Sequence, residues 1–472
     1  MPTLHFGSVR GVLVSCAALA TWSGGAQADP PGTAAPGTAA AGAAAAAVLL
    51  TAAHLYDGRS ARMLSPGFVL VAGDRIVAVG SEPPAAPQAT RIDLGDATLL
   101  PGFIDAHTHL AWSYSASFDS RELDRLRKTA PELALDAVPW VRATLRAGFT
   151  TVRDLGGSDF IDVALRNAVA SGAIEGPRML VAVKGLGGTG SHADDLSGYR
   201  DGVFGRQSGL TDGVADGPDA MRRAVRWVVK NGADVVKVHV SGGVLSLTDD
   251  PNAPQLTQAE IDAAVDEAHA LRRRVAAHAH GNEGAKRAIR AGVDSIEHGT
   301  YLDDEALDLM KLHGTVLVPT LMAFAGLRER LAKPGALPPP IAAKATAAVG
   351  SIRSVVERAI RKGVTIGLGT DASVYPHGKN AGEFLELVAM GMSPLAAIRA
   401  GTSVDARLLG IDDRTGTLDA GKLADVVAVP GDPTRDAAVL ARAFFVMQAG
   451  VVRRDDRPAQ ADNAADLRSS GR

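Results

Sequence analysis

The chain carries one cysteine, Cys16, in 472 residues. That excludes a disulfide framework and, once an N-terminal leader is removed, a thiolate nucleophile. Aromatic residues make up only 4%, too few for a base-stacking platform. The net charge is −3 and no long basic run occurs, so neither nucleic acid nor an anionic membrane surface is an expected partner. No uninterrupted apolar run is long enough to span a bilayer. No G-x-S-x-G elbow is present, which removes the serine nucleophile that such a turn presents.

What is present begins with an export signal. Arg10 precedes the apolar stretch "GVLVSCAALATW", and "AQA" at 26–28 is a small-x-small cleavage site, so residues 1–28 read as a signal peptide. The mature protein is then periplasmic or secreted. The alternative is a lipoprotein signal that lipidates Cys16 in "LVSC", which calls for a longer apolar stretch than residues 11–15 supply. Residues 29–47, "DPPGTAAPGTAAAGAAAAA", are a flexible linker, because such a composition cannot bury enough surface to offset its ordering entropy. Residues 456–472 form a polar, loose tail.

Alternating segments follow the linker, among them "GFVLVAGDRIVAVG", where "AGDR" between two Val/Ile-rich runs signals a hairpin. Matching segments, "ADVVAVPGD" and "ARAFFVMQAGVVRR", close the chain. Strands at both ends predict a small β-sandwich assembled from 48–100 and 401–455, two unrelated β caps being the alternative. Between them stand eight short apolar runs, most separated by helix-length segments with apolar residues at helical spacing. Strand–helix alternation repeated eight times over residues 101–400 predicts an α/β fold of the (β/α)8 TIM-barrel type. In such a barrel the chemistry sits at the C-terminal ends of the strands.

Unusual polar residues end these runs. The first, "LLPGFIDAHTHL", places His107 and His109 two apart, on one face of a strand. Lys237 lies in the fourth run, His278 and His280 end the fifth, His298 the sixth and Asp371 the eighth. Histidines and an aspartate gathered at one mouth could hold two divalent metals such as zinc. Lys237, in "DVVKVHV", stands in a Val-rich strand where an isolated ammonium is costly and its pKa falls. A neutral lysine amine can add carbon dioxide and become an anionic carbamate. The plainer alternative is a lysine that snorkels to solvent or pairs with a carboxylate. Asp371 is a ligand, a turn former or a helix cap. His239 shares the face of Lys237 and serves packing or support equally well. His5, His54, His269, His313 and His377 occupy no such position.

The stretches "PGFIDAHTHL", "GFTTVRDLGG", "ADVVKVHVSGGVLS", "VAAHAHG", "DSIEHGT" and "GLGTDA", in this order, resemble the amidohydrolase superfamily. The resemblance is to its imidazolonepropionase-like branch, which includes Xaa-Pro dipeptidases and ochratoxin-hydrolysing amidases. It implies His107 and His109 on one metal, a carboxylated Lys237 as the bridge, and His278 and His298 on the other metal. It implies further that Asp371 contacts the first metal and acts as general base. The loop "GLGGTGSHADD" resembles the Gly-rich segment that ends in a substrate-facing histidine, here His192, although "GTGS" departs from the more compact usual form. His280, on the strand face of His278, could also approach the substrate.

In this chemistry a hydroxide bridging two metals attacks an amide carbonyl, and Asp371 passes a proton to the leaving nitrogen. The expected substrate is a small molecule or dipeptide with a linear amide whose cleavage releases a C-terminal amino acid: a dipeptide, an N-acyl amino acid or an ochratoxin-type amide. A cyclic amide, as in imidazolonepropionase, is the rival. A mononuclear deaminase is disfavoured, because the glutamate such enzymes place three residues beyond the fifth-strand histidine is Gly281 here. A scaffold that has lost catalysis is disfavoured by the complete set of six ligand-type residues. Homo-oligomerisation stays open.

Overall fold

The computed structural model describes residues 47–457 apart from 116 and 201. The expected signal peptide with Cys16 and His5, nearly all of the linker, and the tail from 458 lie outside the described residues. The first strands are β1 (Ala47–Ala52), β2 (His54–Leu55), β3 (Gly67–Ala72), β4 (Arg75–Gly80), β5 (Thr90–Asp93) and β6 (Ala97–Pro101). The middle contributes β7 (Phe103–Thr108), β8 (Phe149–Asp154), β9 (Arg178–Val181), β10 (Gly185–Leu186), β11 (Val235–His239), β12 (Arg274–Ala279), β13 (Ser295–His298) and β14 (Val316–Val318). The chain closes with β15 (Val426–Pro430), β16 (Phe445–Gln448) and β17 (Val451–Asp455).

Both chain ends enter one sheet. Its order is β17-β16-β15-β6-β2, and β15 runs antiparallel to β6 with Val426 opposite Pro101. The other terminal sheet has the order β4-β3-β1-β5, with β3 and β4 joined by the expected hairpin. Leu50 and Val69 of this sheet share one apolar cluster with Leu99, Val426, Phe445 and Met447 of the first. Such a cluster is what holds β-structure from distant parts of a chain together.

The middle forms two parallel sheets, β7-β8-β9 and β10-β11-β12-β13-β14. Helices connect their strands and cover them with apolar faces. Gln258–Ala270, between β11 and β12, starts at a capping box of Thr257 with Glu260 and buries Ile261, Ala264, Val265 and Ala268. Asn282–Ala291, between β12 and β13, stops where Gly292 turns left-handed at φ 93°.

The eighth apolar run, "VTIGLGTDA", makes no regular ladder. It contributes single bridges, Leu317 with Ile366 and Thr108 with Ala372, and the Ala106 and Asp371 amides donate to the Leu368 and His107 carbonyls at 2.8 Å each. Its glycines explain the irregularity. A Cβ on Gly369 would collide with Val318 and His107, and one on Gly367 would lie 2.5 Å from the Asp405 carboxylate. That carboxylate accepts the Leu368 amide at 3.2 Å, taking a backbone donor that a ladder would use. The segment is thereby wedged between β14 and β7, with Asp371 beside the end of β7.

Candidate active site

The C-terminal ends of the parallel strands open into a cavity of about 750 Å³. His107, His109, His192, Lys237, His278, His280, His298 and Asp371 all line it, so the structure brings together every residue singled out from the sequence. Asp371 Oδ1 lies 3.6 Å from His107 Nε2 and 3.4 Å from His109 Nε2. The rings of His278 and His298 are 4.7 Å apart, and those of His107 and His298 5.0 Å. Three overlapping trios bring one ligand-type atom from each member within 4.8 Å of the others: His107 with His298 and Asp371, His278 with His280 and His298, and His192 with His239 and His278.

The imidazoles are anchored by one nitrogen, which leaves the other to the cavity. His107 Nδ1 is 2.7 Å from Glu297 Oε2, His109 Nδ1 2.9 Å from the Gly156 carbonyl, and His298 Nδ1 2.8 Å from the Thr320 hydroxyl. Such partners fix the tautomer and aim the ring. His278 is oriented the other way round, its Nε2 3.4 Å from the Gly242 carbonyl. Glu297 is itself held by Arg153, whose Nη2 donates to Oε1 at 2.8 Å, and both side chains are buried. Asp105 accepts the Thr370 hydroxyl at 2.6 Å and the Asn380 amide at 2.7 Å, and so ties β7 to the segment that carries Asp371.

Burial controls the protonation of these groups. It drives His107, His278 and His298 well below the ordinary histidine value and His109 and His280 to about 3, with neighbouring Lys237 or other histidines adding to the effect. They are neutral donors of lone pairs near pH 7. Burial also lowers Lys237 to about 8 and raises Asp371 to about 6, opposed in part by the charges of Glu297 and Lys237 respectively. Lys237 is 1% exposed, and its ammonium has no ion pair or hydrogen bond among the described residues. Backbone strain collects here as well. His298, Thr320 and Asp371 adopt positive φ of 70°, 53° and 55°, a costly region for residues with a Cβ.

Several residues of the site stand outside the sequence-based set. Arg153 and Glu297 form the buried pair behind His107, and their trace in the sequence is charge inside apolar runs, "TTVRDLG" and "DSIEHGT". His377, given no role above, lies 2.8 Å from the Trp112 carbonyl, and Trp112 stacks on His109 at 4.5 Å. His54 and His269 pair instead with Ser65 and Asp294, away from the cavity lining.

Buried neutral imidazoles, a lysine with no ion pair among the described residues and an aspartate thus meet at the ends of parallel strands in an α/β fold, as in a metal-dependent enzyme. The family model described as "Amidohydrolase family" matches residues 98–454, and the chain belongs to that family. An ochratoxinase from Aspergillus niger is 34% identical over 394 residues, 78% of each chain. The crystal structure of a Xaa-Pro dipeptidase with bound methionine in the active site superposes with a TM-score of 0.83 at 38% identity, covering 87% of this chain and 100% of that one. An imidazolonepropionase from Cutibacterium acnes is 27% identical over 384 residues, 76% of this chain and 83% of its own. The chain is therefore a hydrolase of amides in the branch that holds these relatives.

Proposed function

We propose that this amidohydrolase cleaves a linear amide to release an amino acid with a free carboxylate. The observation that carries the reading is the set of six residues, His107, His109, Lys237, His278, His298 and Asp371, on one cavity with their imidazoles neutral and anchored from behind. Nitrogen and carboxylate donors of this kind suit two divalent cations, zinc above all, and a carboxylated Lys237 would add an anionic oxygen donor. When bound, the cations would lower the pKa of the attacking water and polarise the amide carbonyl. In the fold we propose, the two parallel sheets and residues 364–372 make a (β/α)8 barrel over 101–400. The terminal sheets make a β-sandwich from 48–100 and 401–455.

The residues divide the remaining work. Asp371 takes the proton of the attacking water on a carboxylate oxygen and returns it to the leaving nitrogen. His192 faces the substrate from the Gly-rich loop, with its Nδ1 3.5 Å from Asp249, and His280 does so from beyond β12. The N-terminal segment supports export to the periplasm or beyond.

The test is a matched pair of substrates, an N-acyl amino acid and its C-terminal primary amide, run beside a lactam. The free acid is expected to have much the higher kcat/KM. Equal rates on acid and amide, or turnover of the lactam alone, would sink the proposal.

A further inference from the structure

A carboxylate on the leaving amino acid calls for a cation, and a guanidinium with its planar fork of donors suits it best. His280 keeps Nδ1 on the Thr300 hydroxyl at 2.6 Å, which leaves one ring nitrogen to a substrate. A guanidinium reaches the same cavity from the helix Phe118–Arg127, which follows the loop after β7. Arg121 stands in its first turn, and its Cζ lies 5.4 Å from the centre of the Phe118 ring. The side chain is 22% exposed and lines the cavity together with Asp371, on whose carboxyl its charge acts.

The ionic surroundings of Arg121 are unbalanced. The carboxylate beside it is Glu122, at 3.4 Å, and Glu122 also receives Arg125 at 3.4 Å and the Tyr199 hydroxyl at 2.7 Å. Arg125 and Arg330 press on Arg121 as like charges, and Arg125 divides itself between Glu122 and Asp195, the latter at 3.6 Å. Arg330 is buried and gives Nη2 to the Ser115 carbonyl at 2.8 Å, which offers Arg121 no negative charge in return. A partly buried guanidinium that shares Glu122 with Arg125 and Tyr199 gains from an arriving carboxylate, which forms charge-assisted bonds to it in a planar fork.

We propose that Arg121 binds the α-carboxylate of the departing amino acid and sets the preference for free acids over capped amides. This rests on the leaving-group reading given under Proposed function.

The experiment measures kcat/KM on the N-acyl amino acid and its primary amide with the wild-type chain, Arg121→Gln and Arg121→Lys. It also measures the inhibition constant of the released amino acid. Arg121→Gln is expected to shrink the acid-to-amide ratio roughly 10–100-fold, the range of a lost charged hydrogen bond, through loss on the acid. The inhibition constant should rise by a similar factor, and Arg121→Lys should recover part of both. Equal loss on acid and amide would mark a structural role and overturn the proposal. A wild-type preference that survives in Arg121→Gln overturns the role of Arg121 alone and leaves the leaving-group reading standing. A wild-type enzyme indifferent to the cap overturns both.

Discussion

Asp371→Asn is expected to lower kcat by about 10²–10⁴-fold, the usual worth of a positioned general base, with thermal unfolding nearly unchanged. The substitution suits the backbone as well as the chemistry. Asp371 has φ 55°, and asparagine is among the side chains that tolerate this left-handed region. The amide keeps the shape of the carboxyl beside His107 and His109 but cannot take a proton at neutral pH. Steady-state kinetics with a melting curve of the same preparation checks it. A near-normal kcat in a correctly folded, fully metallated variant would remove Asp371 from the mechanism.

Lys237→Ala is expected to lower kcat by at least about 10³-fold, in line with the several kcal/mol that a metal's charge stabilisation supplies. An ammonium 1% exposed in the strand VVKVH has no ion pair among the described residues, and burial brings its pKa to about 8. A lysine of that kind loses its proton more readily than an exposed one, and the amine so formed is what adds carbon dioxide. Alanine leaves a space in which acetate or propionate at high concentration should restore part of the rate. Activity assays with and without the acid, alongside metal analysis, decide it. Wild-type turnover and full metal content in Lys237→Ala would contradict the assignment.

Much of this site is legible because its chemistry interrupts hydrophobic patterns. His107 and His109 end an apolar strand at the two-residue spacing that turns side chains to one face, and Lys237, His278 and His298 each break a short Val/Ala/Ile run. What the pattern does not convey is what stands behind them. Glu297 holds His107 across 190 positions, and no local periodicity predicts that pairing. Arg121 belongs to a helix whose polar face is indistinguishable in sequence from an ordinary solvated one, and only the fold turns it toward the cavity. The hairpin of β3 and β4 is readable from Gly73–Asp74, a local turn, whereas the pairing of β6 with β15 joins opposite ends of the chain. The eighth run reads as a strand by composition, but Gly367 and Gly369 serve close backbone approach instead of a ladder. Charge state is the other hidden quantity. The sequence places His280 near the substrate but does not show that burial lowers its pKa.

The central claim is that these strand ends form a two-metal centre for amide hydrolysis. Its most direct test strips the protein with a chelator, then follows turnover and bound metal together as zinc is restored in the presence of bicarbonate. The account predicts that activity toward the N-acyl amino acid rises to its plateau only as loading approaches about two metals per chain. A plateau at one tightly held metal, or full activity in the stripped protein, would contradict it.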